Sequence, residues 1–339
     1  MQALGAEPDN TDLYTPLLFQ SYEPLSLRIV APFKTIHRYR GRNRPYSPAM
    51  MELADIYGNE VQLDVRISVR GNFRSDLVTC KYPPLKLNFD RDLEALKNTV
   101  FKGENILKLV VQCRDQEKYK HYLILEYLNY RVFQLLSVYS LNVRLAQIDY
   151  YDSERNRDTG NRIAFFIEDT GRFGDRLNLE ELEVKKMRTL DYDPARLNLA
   201  EMFEFFIANT DWSATSPEKD ENCCHNLIPF QDQDGSIIPV PYDFDLAGVV
   251  DAPYAVVNPG LRIKTVRQRL YRGHCQDDAI LQSTLAIFRS KRKEIYSLYE
   301  NQSGLPPETI KQTIKYFDIF YDVIQDEEKL KWMILNKCR

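Results

Sequence analysis

The most regular stretch of this chain is VQLDVRISV, residues 61–69, in which apolar and polar residues alternate without interruption. Successive side chains of a β-strand point to opposite faces, so this period of two places the apolar residues in a core and the polar residues outside it. A turn signal, YGNE at 57–60, separates this stretch from the apolar segment 49–54. We therefore predict a β-hairpin here.

Short apolar segments of the same kind continue through the first half, whereas the second half is mainly helical in pattern. Strands are predicted over 25–29, 85–89, 106–111, 144–151 and 163–167, with one helix over 118–138. Later helices are predicted from Pro194 to the segment Asn209-Thr210-Asp211, over 280–300 and over 306–337. The order predicts an α+β fold of two lobes: an extension over 1–20, a β-rich lobe over 21–170 and a mainly helical lobe over 171–339.

Composition limits the classes of partner. The 339 residues carry a formal net charge of −4, which gives no reason to expect nucleic-acid binding. No apolar stretch approaches the roughly 18–20 residues that a membrane span needs, so we expect no membrane span. We also expect a monomer. One basic cluster, HRYRGRNR at 37–44, runs against the overall charge. We interpret it as a solvated turn; the alternative is contact with phosphate or an acidic partner.

Six cysteines are dispersed along the chain. Their even number fits disulfides in an exported protein, and it also fits reduced thiols in the cytoplasm. We predict a Cys80–Cys113 disulfide, because both residues flank neighbouring predicted strands, and we favour an exported location. The segments CCH at 223–225 and HC at 274–275 do not reproduce the paired spacing of a structural zinc site.

The segment IIPVPYDFDLAG, residues 237–248, carries the main chemical signal. It is an apolar strand that ends in two carboxylates, Asp243 and Asp245, a placement suited to a hard divalent cation. Upstream lie Asp211, in the segment NTDWS, and then Asn226. An Asp, an Asn and a strand that closes on an Asp follow one another in the order in which protein kinases present their catalytic base and metal ligands.

Each of these residues has a predicted role in phosphoryl transfer. Asp211 would be the catalytic base, Asn226 would offer its amide oxygen to the metal, and Asp243 would bridge metal and phosphates. Asp245 would add a second carboxylate ligand or hold the loop, and Asn222 competes with Asn226 for the metal.

A lysine must neutralise the phosphates, and two are candidates. Lys108 lies on the strand before the first long helix, and Glu126 on that helix would pair with it. Lys86, one strand earlier, is the alternative.

At five places the sequence resembles the spore-coat-protein-H-like (CotH) family of atypical kinases, over roughly residues 60–250. The matching segments are VRGN at 69–72, KYPPLKLNF at 81–89, AFFIED at 164–169, NTD at 209–211 and PYDFD at 241–245. The resemblance implies a protein-kinase-like fold that uses ATP with Mg²⁺ or Mn²⁺ to phosphorylate Ser or Thr of a protein substrate.

By position, the resemblance makes Asp211 the catalytic Asp and Asp243 the metal-binding Asp, and it places Arg70 and Glu168 at the nucleotide. Two alternatives stay open at this point. The chain could be an inactive scaffold or surface protein, or it could transfer AMP rather than phosphate.

Overall fold

The computed structural model describes residues 15–41, 43–90, 92–217 and 222–339. Most of the predicted extension over 1–20 lies outside the described residues. The chain forms two compact units. The first, which we call the barrel unit, comprises Tyr14–Leu123 and Asn142–Arg172. The second, the helical unit, comprises Ile124–Leu141 and Phe173–Arg339, so a middle segment of the chain packs with the later residues.

A closed barrel of seven strands makes up most of the barrel unit. The strands are β1 Leu25–Ala31, β2 Ser47–Ala54, β3 Glu60–Val69, β4 Leu85–Phe89, β5 Ile106–Val111, β6 Val143–Asp152 and β7 Arg157–Ile167. They are hydrogen-bonded in the order β1-β2-β3-β4-β5-β7-β6, and β6 returns to β1 as a parallel neighbour. A short helix, α1 (Phe33–Arg38), follows β1.

Alternation along the strands fills the barrel, as the sequence predicts. On β3 the side chains of Leu63, Val65 and Ile67 are buried in the core, while the polar residues Gln62, Asp64 and Arg66 between them are exposed. Burying an aliphatic side chain of this size contributes about 1.5–3 kcal/mol relative to leaving it in water. The interior is therefore a packed apolar core.

The helical unit combines helices with a small sheet. Its elements, with two helices, α2 and α3, that begin among residues of the barrel unit, are α2 Glu117–Leu136, α3 Thr170–Leu177, β8 Glu180–Glu181, α4 Pro194–Ile207, β9 Leu227–Gln231, β10 Ile237–Pro241, α5 Asp278–Glu300, α6 Pro307–Gln325 and α7 Glu327–Leu330. The three strands pair in the order β10-β9-β8. Short 3₁₀ turns cover Leu17–Phe19, Phe73–Ser75, Glu94–Asn98 and Thr189–Asp191, and a π turn covers Lys331–Leu335.

The predicted fold class, a two-lobed protein-kinase-like fold with an antiparallel β-rich N-lobe and a mainly helical C-lobe, is wrong. The first sheet is mixed and closed, because β1 and β6 pair in parallel. Closure satisfies the backbone N–H and C=O groups that two edge strands would leave unpaired. Turn patterns in a sequence predict only the antiparallel pairing of strands that follow one another. They therefore could not predict the parallel pair, β1 and β6, that closes the barrel.

All six cysteines form disulfides. The predicted Cys80–Cys113 bridge is confirmed, with Cα atoms 4.8 Å apart. Cys275 pairs with Cys338, and the neighbours Cys223 and Cys224 pair with each other. Among the helices of the described ranges, none has the length and apolar character needed to cross a bilayer.

Candidate functional site

Asp211 stands just beyond the C-terminus of the buried helix α4. Asp193 caps the start of this helix by accepting the Arg196 N–H at 2.8 Å, and Pro194 occupies the first turn, as the sequence predicts. The helix ends at Ala208, which is in the left-handed conformation with φ 54°. The side chain of Asn209 then accepts the backbone N–H of Asp211 at 2.9 Å. This turn fixes the backbone that carries the Asp211 carboxylate.

Both oxygens of the Asp211 carboxylate have a defined partner. His225 Nε2 lies 2.9 Å from Oδ1, and the Asn226 amide donates from Nδ2 to Oδ2 at 3.0 Å and to the Asp211 backbone carbonyl at 2.6 Å. The Asp211 side chain is nevertheless 40% exposed, compared with 22% for His225. The carboxylate is thus held in one orientation and is still reachable from solvent.

The β9–β10 hairpin brings Asp243 to the same place. Asn226 immediately precedes β9, and its carbonyl accepts the N–H of Tyr242 at 3.1 Å, just after β10 ends. Asp243 is the next residue. One end of a single hairpin therefore carries Asn226 and Asp243, and Asn226 links that end to Asp211.

Asn226 and Asp243 both have left-handed backbones, with φ of 53° and 59°. This conformation costs a non-glycine residue about 1–2 kcal/mol. The surroundings hold Asp243 in it: its N–H donates to the Tyr130 hydroxyl at 2.9 Å, and the next residue, Phe244, packs on the Tyr130 ring at 4.6 Å and on Phe203 at 5.3 Å. Backbone strain that packing maintains is concentrated at functional sites.

A second, fully buried carboxyl lies behind Asp211. Burial raises the pKa of Glu204 well above its usual value; the Asn209 amide opposes this shift, the nearby Asp211 charge adds to it, and Arg272 opposes it. Burial thus favours the protonated form of Glu204. Arg272 donates to the backbone carbonyls of Thr210 and, at 2.8 Å, Trp212, on either side of Asp211. The Arg272 guanidinium thus fixes the backbone on both sides of Asp211.

The donor set can be tested against the predicted divalent cation. Within the described ranges no three His, Cys, Asp or Glu side chains lie close enough together to hold a metal ion. Mg²⁺ commonly takes only one or two carboxylates and completes its shell with water and substrate phosphates. Asp243 is half-buried, and Asn226 directs its amide nitrogen to Asp211, which leaves its amide oxygen for another partner. These hard oxygen donors fit a phosphate-bound cation. Asp245 is buried, with 6% of its surface exposed, which suits the predicted role of holding the loop.

The other predicted site residues of the first half lie in the barrel unit. Lys86 on β4 and Lys108 on β5 are direct cross-strand partners, and both are half-buried. Arg70 follows β3, where its N–H donates to the Pro84 carbonyl at 2.9 Å. Glu168 is fully buried, and its Oε2 accepts the Asn142 N–H at 2.9 Å.

Glu126 is buried on the part of α2 that belongs to the helical unit. Its pairing with Lys108, which belongs to the barrel unit, stays a prediction. Asn222 is exposed, whereas Asn226 binds Asp211, and this favours Asn226 over Asn222 as the site asparagine.

His225 is the residue that the sequence-based assignment missed. Its immediate neighbour Asn226 was identified from the Asp–Asn–Asp order, and the two adjacent cysteines drew attention to zinc chemistry instead. A histidine directly before the candidate asparagine was the available signal. Comparison with known protein families finds no family that matches the chain, and comparison with curated proteins finds no match either.

Proposed function

We propose that the helical unit carries a metal-dependent phosphoryl-transfer site, which moves the γ-phosphate of ATP to a Ser or Thr hydroxyl of a protein. The observation that carries the proposal is the Asp211 carboxylate, held at both oxygens by His225 and Asn226 beside the left-handed Asp243. The corrected fold does not count against it, because one chemistry recurs on unrelated folds and function resides in the site.

Asp211 has the role of orienting the acceptor hydroxyl and taking its proton. The oxygen of that hydroxyl bonds to the γ-phosphorus while the bridging oxygen leaves with ADP. His225 and Asn226 keep the carboxylate in place, since they contact its two oxygens at 2.9 and 3.0 Å. Asp243, with the Asn226 amide oxygen, would hold Mg²⁺ or Mn²⁺, which supplies neutralisation of the phosphate charge.

The test distinguishes the predicted metal ligand, Asp243, from the predicted catalytic base, Asp211. Asp243→Ala should abolish Mg²⁺-dependent ATP binding in calorimetry, because it removes the carboxylate that holds the cation. Asp211→Asn should leave that binding within roughly threefold and should lower transfer from γ-labelled ATP to a mixed acceptor protein by roughly 10²–10⁴-fold. Asparagine is chosen because it keeps the size of the side chain beside His225 and Asn226.

Asp234→Asn is the matched control, since this exposed residue lies in the turn at the opposite end of the same hairpin. Label from α-labelled ATP in the acceptor would instead indicate transfer of AMP. If wild-type protein shows no metal-dependent ATP binding, the phosphoryl-transfer proposal fails and an inactive scaffold takes its place.

We further infer that the protein is exported. Three disulfides that use every cysteine are typical of proteins that fold in an oxidising compartment. Mass spectrometry of protein from its native source, alkylated before reduction, should find no alkylated cysteine. Recovery of all six cysteines in alkylated form would support a cytoplasmic location.

A further inference from the structure

A cavity of about 560 Å³ lies within the barrel unit, lined by α1, by the segment before β4 and by the ends of β6 and β7. Its volume falls within the range of roughly 300–1,000 Å³ that is usual for small-molecule sites. Every residue that lines it belongs to the barrel unit, and none of the site residues described above lines it. The cavity is therefore separate from the candidate site described above.

One part of the cavity wall is apolar and includes a buried hydroxyl. Phe33, Leu85 and Val111 line it together with Tyr150, whose ring packs edge-on against Phe33 at 5.5 Å. Tyr150 is 4% exposed, and no atom of the described chain hydrogen-bonds its hydroxyl. A buried hydroxyl without a partner costs about 1–3 kcal/mol. A polar ligand atom in the cavity would remove that cost.

A rigid guanidinium stands next to this hydroxyl. Arg162 is only 5% exposed, and its guanidinium lies 3.6 Å from the centre of the Tyr82 ring and 5.3 Å from that of Tyr150. It also donates to the Thr159 carbonyl, and its Nε is 3.7 Å from Asp115. Stacking and hydrogen bonding thus fix its position before any ligand binds, which reduces the entropy that binding must lose.

The cavity has more cations than carboxylates in its lining, although one of the cations, Lys81, is paired at 2.5 Å with Asp115, which does not line it. Five cationic side chains line it and only two carboxylates do; the cations are Arg40, Lys81, Arg155, Arg157 and Arg162, and the carboxylates are Asp152 and Asp158. Both carboxylates are already close to an arginine: Asp152 to Arg155 at 3.5 Å, and Asp158 to Arg28, outside the cavity, at 3.3 Å. The excess of positive charge within one concave wall favours an anion.

His37 gives a further indication of that positive field. It lines the cavity, and burial, reinforced by the charges of Arg40, Arg162 and Arg155, lowers its pKa to about 4. The imidazole is therefore neutral at pH 7, and it can accept or donate a hydrogen bond without adding charge. The sequence cluster at 37–44 supplies both His37 and Arg40, so this part of the cluster lines a cavity and does not form only a solvated turn.

We infer that this cavity is a binding site for a small amphipathic anion, in which a phosphate or carboxylate group meets Arg162 and Arg40 and an apolar body packs on Phe33 and Leu85. The Tyr150 hydroxyl donates to the anionic group. Arg40 is already oriented, because its guanidinium donates to the backbone carbonyls of Cys80, at 2.8 Å, and Lys81. This binding site is separate from the proposed phosphoryl-transfer site, and its test does not depend on that activity.

The experiment measures binding of phenyl phosphate to the full chain by titration calorimetry, with phenol, inorganic phosphate and benzoate as comparison probes. Phenyl phosphate should bind at least roughly tenfold more tightly than phenol or inorganic phosphate, because neither of these two probes fills both the apolar part and the cationic part of the cavity. If benzoate binds as tightly as phenyl phosphate, the site accepts a carboxylate as well as a phosphate. If benzoate binds much more weakly, the site is specific for phosphate.

Variants locate the site. Tyr150→Phe removes one unpartnered hydroxyl from the folded protein and should weaken phenyl phosphate binding by roughly fivefold. Arg40→Gln should weaken it by roughly tenfold or more. Arg66→Gln is the matched control, because Arg66 is exposed on β3 of the same unit and does not line the cavity. The inference is overturned if phenyl phosphate does not bind at 10 mM, if phenol binds as tightly, or if Arg66→Gln weakens binding as much as Arg40→Gln does.

Raising the salt concentration with wild-type protein should also weaken binding, which tests the role of charge without any substitution.

Discussion

The barrel unit and the helical unit both bury carboxyl groups, and the barrel unit also gathers cations around a cavity. The buried carboxyl groups include Asp152 and Glu168 in the barrel unit and Glu201, Glu204 and Asp245 in the helical unit. Arginine and lysine are long enough to pack their stems on apolar surface while the charge stays near water. A carboxyl group is short, so its burial requires a partner or a proton. In both units, therefore, a buried carboxyl group should matter more for stability than an exposed one.

The largest expected effect of a single charge belongs to Glu201. Its side chain is fully buried; His274 Nδ1 lies 2.6 Å from Oε1, and the His274 backbone N–H donates to Oε2 at 2.9 Å. Glu201→Ala leaves these donors without a partner, so the free energy of unfolding should fall by about 3–5 kcal/mol in urea denaturation. Glu294→Ala, which removes an exposed partner of Lys291 in the same unit, should cost under about 0.5 kcal/mol. Equal losses for the two variants would contradict the contrast between buried and exposed carboxylates.

In the barrel unit a covalent link should also matter. The Cys80–Cys113 bridge closes a separation of 33 residues, which predicts a loss of roughly 3–4 kcal/mol from loop entropy when both cysteines are replaced by alanine. Replacing Cys223 and Cys224 by alanine is the comparison, because their bridge has a sequence separation of 1 and constrains almost no loop. Urea denaturation followed by circular dichroism measures both. A loss as large from the second pair as from the first would show that loop length is not the cause.

Local patterns predicted the strands of the barrel better than they predicted its closure. Alternation identified β3 and β4, and the Asp193-Pro194 pair marked the start of α4, because each signal arises from neighbouring residues. The parallel pairing of β1 with β6 joins segments far apart in sequence and leaves no periodic signal. No local pattern predicts that the segment Ile124–Leu141 packs in the helical unit, although residues on both sides of it belong to the barrel unit.

For the candidate site, the sequence identified the acidic and amide residues and missed their organisation. Asp211, Asn226 and Asp243 follow from residue type and order, and the direct bonds between Asp211 and Asn226 agree with that choice. The contact of His225 with Asp211 depends on how the β9–β10 hairpin meets the end of α4, which is a tertiary property. The cation-lined cavity could not be predicted from the sequence either, because its arginines come from separate segments that only the closed barrel brings together.

A pH titration of stability should distinguish the cavity from an ordinary surface. The pKa of His37 is about 4 in the folded protein, and an unfolded histidine binds its proton near 6.5. The unfolded state therefore takes up a proton first as the pH falls from 6.5 toward 4, and the fold should lose about 2 kcal/mol over that range. His37→Gln should remove this part of the loss, measured as the difference between the urea denaturation of the two proteins at pH 7 and pH 4.5. A difference that does not change with pH would mean that His37 is not held neutral by its burial and the charges of Arg40, Arg162 and Arg155.

The smallest expected effect is a gain of stability, in the helical unit. Burial raises the pKa of Glu204 well above its usual value, so the folded state keeps a proton that the unfolded state releases above about pH 4.5. The contribution of Glu204 to stability is therefore full below that pH and is lost as the pH rises toward the folded-state pKa. Glu204→Gln keeps the shape and removes the titration, so it should be more stable than wild type at pH 7 and almost equal to it at pH 4. Asp322→Asn, a substitution of an exposed carboxylate in the same unit, should show no such gain. A Glu204→Gln protein that is less stable than wild type at pH 7 would show instead that Glu204 is ionised beside Arg272, and that the buried charge behind Asp211 contributes to the site.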